Sequence, residues 1–85
     1  MLTGLQVRAA KAMLGWSGDD LAQKAGVSLS SVRRIVAHDG IPEDQSMRII
    51  LAVKSALEKA GIEFIGTPED RPGVRFKGDQ STPVS

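Results

Sequence analysis

Apolar and polar positions along the chain recur with a helical period from Thr3 to about Ala60 and with an alternating period after Gly61. Val7, Ala10 and Leu14 fall on one face at i, i+3 and i+7 with Met13 beside them, which predicts a first helix with a core-facing stripe. Thr3 and Gln6 stand at capping-box spacing at its start, and Gly15 is its stop. Trp16 is expected to wedge between this helix and the next. Ser17 caps a second helix whose stripe is Leu21, Ala22 and Ala25, and Gly26 ends it. Ser28 caps a third, in which Val32, Ile35 and Val36 share one face while Ser30, Arg33, Arg34 and Ala37 share the other.

The segment Ile41-Pro42-Glu43-Asp44 is expected to open the longest helix, with proline in the first turn and acids at the positive end of the dipole, and Gly61 to close it. Its stripe reads Met47, Ile50, Val53, Leu57 and Ala60, widened by Ile49 and Leu51. So wide an apolar band suggests that part of this helix meets a second subunit. Ile62–Ile65 and Val74–Lys77 read as two short strands separated by the turn-rich segment 66–73. A lone hairpin is marginal in water, so it must pack on the fourth helix or pair with its copy across a twofold axis. On that second option Ile62, Phe64, Val74 and Phe76 are the expected dimer-interface residues. Residues 78–85 are polar and aperiodic and read as a disordered tail.

The third helix has the form needed to enter the major groove of DNA, with a core face and a face of small residues and guanidiniums. The run W-S-x-x-x-L-A-x-x-A-G-V-S-x-x-S-V-R-R-I from Trp16 to Ile35 resembles the helix-turn-helix of the Cro/C1-type (Xre) repressor family. The likeness extends, more loosely, from about Thr3 to Ala60. It implies a mainly α, four- to five-helix lambda-repressor-like DNA-binding domain over residues 1–61. The short C-terminal β-hairpin at 62–77, suited to dimerisation, follows it.

By the same resemblance, Leu29, Ser30, Arg33 and Arg34 occupy base-reading positions. Ser28, Ser17, Gly18, Lys24, Arg8 and Lys11 are candidates for contacts to the DNA backbone. The plain alternative for each cation is a solvated surface charge. Two positions depart from the family pattern. Gly18 replaces the polar side chain that commonly follows the cap, with Asp19 and Asp20 directly after it. Val36 stands where a glutamate commonly pairs with a basic residue of the first helix, here Lys11, which leaves that lysine available to phosphate.

Composition narrows the remaining chemistry. Eighty-five residues, 41% hydrophobic and 25% charged, allow one small domain. No apolar run is long enough for a membrane span and no leader pattern opens the chain, so a cytoplasmic protein without membrane contact is expected. With no cysteine, disulfides, thiolate metal sites and cysteine nucleophiles are excluded. The adjacent carboxylates Asp19 and Asp20 diverge on a helix and lack further ligands at metal spacing, so they serve the helix start. No phosphate-cradling glycine loop or nucleophile constellation is present, and neither enzymatic activity, a metal nor any cofactor is expected. His38 belongs to the turn His38-Asp39-Gly40.

Net charge is +1, but the residues through Gly40 carry five Lys/Arg against three Asp, a balance of +2, and the rest carry six against seven. Attraction to phosphate must therefore come from a local patch of the first half. The expected function is a DNA-binding regulator, a repressor or autoregulator that binds a palindromic operator in double-stranded DNA as a homodimer. The alternative is a protein-interaction module on the same scaffold, an antitoxin or antiactivator with a protein partner. Binding to RNA lacks the exposed aromatic residues it commonly uses.

Overall fold

The computed structural model describes residues 2–67 and 69–77. The tail expected at 78–85 lies outside them. Four helices and one hairpin follow in order: α1 (Gly4–Leu14), α2 (Gly18–Ala25), α3 (Leu29–Ala37), α4 (Met47–Lys59), β1 (Ile62–Thr67) and β2 (Asp70–Phe76).

Each helix begins where a hydroxyl can take over an orphan backbone donor. Thr3 Oγ1 accepts the Gln6 N–H at 3.1 Å while Gln6 Oε1 accepts the Thr3 N–H at 2.8 Å, the reciprocal box that the T-x-x-Q spacing predicts. Ser17 and Asp20 form a second box, at 3.1 and 2.9 Å. This gives Asp20 a direct bond as well as its favourable place near the helix dipole. Ser28 and Ser46 cap α3 and α4. Gly15 and Gly26 end α1 and α2 at φ 69°, where a side chain would be strained.

The start of α4 differs from the sequence expectation. The helix opens at Met47, because Ser46 is extended and its hydroxyl receives the Ile49 N–H at 3.3 Å. Pro42 belongs to a separate turn, closed by the Gln45 N–H on the Pro42 carbonyl at 3.2 Å, and its ring is buried. A proline held in the core at that point fixes the approach to α4 rather than its first turn.

One cluster makes the core: Leu2, Val7 and Ala10, Leu21 and Ala22, Val32 and Ile35, Ile50, Val53, Ala56 and Leu57, and Ile62 of β1. The face of α4 that packs on its neighbours is thus narrower than the sequence stripe. Met47 and Leu51, one turn apart, remain 51% and 52% exposed, whereas Ile49 is half-buried against the core.

The hairpin is longer than the hydrophobic alternation suggests. Its antiparallel register pairs Ile62 with Phe76, Phe64 with Val74 and Ile65 with Gly73, then resumes at Thr67 and Asp70. Between those last pairs Gly66 faces Arg71 and Pro72, a bulge with left-handed backbone at Gly66 (φ 76°) and Arg71 (φ 52°). Proline lacks the donor a regular ladder demands, and the bulge accommodates it. Glycine and proline within 66–73 therefore read as a long turn, although the strands continue through most of it.

The hairpin packs on α1 as well as on α4. Gln6 Nε2 donates to the Gly73 carbonyl at 2.8 Å and to the Ile65 carbonyl at 3.3 Å. On the α4 side, Lys54 Nζ lies 5.8 Å above the Phe64 ring and 2.8 Å from Glu58. The four residues expected at a subunit interface divide accordingly. Ile62 is fully buried within one chain and has no surface to offer, while Phe64 and Val74 pack against the core. Phe76 alone of the four remains half-exposed, at 51%. Among the described residues no helix is long and apolar enough to cross a membrane.

Candidate nucleic-acid interface

The α2–turn–α3 unit is fixed from within. The Val27 N–H bonds the Ala22 carbonyl at 3.1 Å across Gly26, the wrap that lets a helix stop and the chain reverse within three residues. Ser28 then starts α3, its hydroxyl accepting the Ser31 N–H at 3.1 Å and meeting Ser31 Oγ at 3.0 Å. Val32 and Ile35 anchor α3 in the core. Ser30, Arg33 and Arg34 are exposed on the opposite side, as the periodicity predicts. Among the described residues, neither Arg33 nor Arg34 lies within 4.0 Å of a carboxylate, so both guanidiniums keep their full donor capacity.

Leu29 behaves differently from the other three residues expected to read bases. It is half-buried, and its Cδ1 lies only 3.2 Å from the point a Cβ of Gly18 would occupy. The side chain leans onto the start of α2. The missing side chain at residue 18 thus acts as a recess for Leu29.

Residues expected at the DNA backbone divide into two groups. Lys11, Ser17 and Gly18 line one cleft of about 350 Å³ where the end of α1, the start of α2 and α3 meet, joined there by Arg33 of the base-reading set, while Ser28 caps α3. Lys24 and Arg8 are elsewhere. Lys24 Nζ stands 5.7 Å over the Trp16 ring, in cation–π geometry.

Arg8 reaches the end of α3. Its Nη1 donates to the Val36 carbonyl and, at 3.4 Å, to that of His38, while Nη2 pairs with Asp39 at 2.6 Å. This helix lacks a glycine stop, so a cation from α1 takes the orphan carbonyls instead. Nothing in the local spacing of Arg8 signals that role, because its partners come some thirty residues later, Val36 and His38 being 28 and 30 positions along the chain.

The two acids at the start of α2 also part company. The Ser17 backbone N–H, and then its hydroxyl, hold the Asp20 carboxyl below the usual aspartate range. Its charge is therefore tied to the cap, whereas Asp19 lines the cleft. On the hairpin, Arg75 holds Glu63 below the usual range through a two-pronged bond at 3.0 and 3.2 Å, and is itself pushed up by that carboxylate. His38 Nε2 meets Asp44 at 3.0 Å across the α3–α4 turn. Among the described residues no group of three or more His, Cys, Asp or Glu side chains is placed to hold a metal ion. Comparisons of the chain with protein-family models, curated proteins and solved structures return no match.

Proposed function

We propose that this chain is a sequence-specific DNA-binding transcriptional regulator of lambda-repressor-like form, with α3 as the helix that enters the major groove. The observation that carries this reading is the outer face of α3. Ser30, Arg33 and Arg34 stand exposed, their donors unpaired among the described residues, on a helix whose inner face is locked by Val32 and Ile35. Arg can bond guanine O6 and N7 in parallel, and a serine hydroxyl can serve either edge. Lys11 lies across the cleft from α3 and supplies a phosphate contact. Two copies, joined through the uncovered Met47, Leu51 and Phe76, would place two such helices on a palindromic operator and so repress a promoter that contains it.

The test is selection of duplexes from a random library by the full chain, followed by titration of the selected site at several salt concentrations, with sedimentation of the free and bound protein. A palindromic motif bound far more tightly than scrambled DNA, by a dimer, is the expected result. Absence of any enriched motif would overturn the reading. The second reading, a module that binds another protein, draws on the same apolar strip of Met47 and Leu51 and on Asp19 beside the α2 start.

A further inference from the structure

The cleft between α1, α2 and α3 has walls of two kinds. Leu29, Val32 and Val36 give it an apolar floor, and Lys11 and Arg33 bring cations to it. Among the described residues neither cation lies within 4.0 Å of a carboxylate, and Asp19 is the single acidic side chain of the lining. Two cations against one carboxylate leave a local charge of +1. The cleft holds about 350 Å³ and is about half open to solvent, so it covers one side of a small ligand rather than enclosing it. Gly18 keeps the space open, since any side chain there would project toward Leu29.

We propose that this cleft binds a small amphipathic anion, a monocarboxylate with a short aliphatic chain. The chain lies along Leu29, Val32 and Val36, and the carboxylate sits between Lys11 and Arg33. A single negative charge matches the local excess, and the apolar floor favours a tailed carboxylate over a bare inorganic anion. Because Arg33 belongs to the face assigned to DNA, an occupied cleft withdraws that guanidinium and releases the duplex. This regulatory consequence rests on the DNA-binding reading, whereas the binding itself does not.

Amide-resolved NMR titration of the full chain with hexanoate, hexanamide and inorganic phosphate separates the outcomes. Hexanoate is expected to give saturable shifts confined to the amides around Ser17, Gly18, Leu29 and Arg33. Hexanamide and phosphate should bind about ten-fold more weakly or worse, as loss of a charge-assisted bond or of apolar burial requires. Lys11→Gln should weaken hexanoate by a similar factor, and Gly18→Gln should occlude the site, each with an amide spectrum that remains dispersed. Equal response to hexanamide or to phosphate, shifts centred on α4 or the hairpin, or no saturation would each overturn the proposal. Addition of hexanoate to a preformed duplex complex tests the regulatory step. If hexanoate saturates the cleft and no duplex binds at all, the site stands and the DNA reading falls.

Discussion

Gln6 and Gly73, 67 positions apart in the chain, are joined by a 2.8 Å bond from the Gln6 side-chain amide to the Gly73 carbonyl. The same side chain closes the α1 capping box, so one buried glutamine fastens the hairpin to the helix that starts the domain. Gln6→Ala should lower stability by about 2 to 4 kcal/mol, the sum of a lost cap and unsatisfied carbonyls. Gln6→Glu keeps the acceptor for Thr3 but at neutral pH brings a buried carboxylate up to the Gly73 and Ile65 carbonyls, so it should cost more than about 3 kcal/mol and regain part of that as acid protonates the carboxyl into a donor. Urea unfolding measures both. Faster amide exchange in β1 and β2 of Gln6→Glu, with α1 still protected, is the accompanying signature.

Gly4 sits where α1 crosses the end of α3. Its N–H bonds the Gly40 carbonyl at 2.9 Å, and a Cβ there would overlap the carbonyl oxygens of Ile35 and His38. These are backbone atoms that cannot rotate aside. Gly4→Ala should cost more than about 3 kcal/mol despite the better helix propensity of alanine, since overpacking against backbone exceeds that gain. A thermal midpoint equal to that of the parent chain would show that α1 can shift to make room.

Arg8 and Lys11 share α1 and a charge but not a task. Arg8→Ala should lose about 1.5 to 3 kcal/mol of folding stability, because it frees the charge-assisted bonds at the end of α3. On the proposed operator it should leave the slope of log affinity against log salt unchanged. Lys11→Ala should show the converse, near-parental stability and a salt slope smaller by about 1. Swapped outcomes would reassign the two residues.

On the outer face of α3, Arg33→Ala and Arg34→Ala should each weaken binding to the selected site by about 1 to 3 kcal/mol if they read bases. Titration against the site and its single-base variants distinguishes the roles. A residue that reads a base loses discrimination at one position, while one that holds phosphate weakens all sites alike.

Acid should weaken the fold through Asp20 and Glu63. Both carboxyls have lower pKa values in the folded chain, through bonds from the Ser17 backbone and hydroxyl and from Arg75 respectively. A lowered folded value means a contribution that is complete above the ordinary carboxylate pKa of about 4 and is lost as pH falls through the folded value. The thermal midpoint should therefore fall on acidification from about pH 5 to about pH 3. Asp20→Asn retains an acceptor for the Ser17 N–H but no longer titrates, so its midpoint should vary less over that range.

Local physics settled a good part of this protein in the sequence itself. Helix starts at Thr3, Ser17 and Ser28 and stops at Gly15 and Gly26 follow from hydroxyl capping and from left-handed glycine, which involve residues a few positions apart. The split of α3 into a core face and an arginine face follows from the helical period alone. Where glycine and proline interrupt a pattern, sequence and structure part. Pro42 entered the core instead of a first turn, and Pro72 entered a bulge within β2.

Tertiary structure decided the rest, because it depends on which surfaces are covered. Ile62 and Phe76 are cross-strand partners of similar character, yet one is fully buried and the other half-exposed. Arg8 and Lys11 look alike on α1 until α3 presents its carbonyl ends to one and its Val32, Arg33 and Val36 flank to the other. The recess that holds Leu29 beside Gly18, and the cleft beside it, exist only once three helices meet, and no spacing along the chain encodes a space between them.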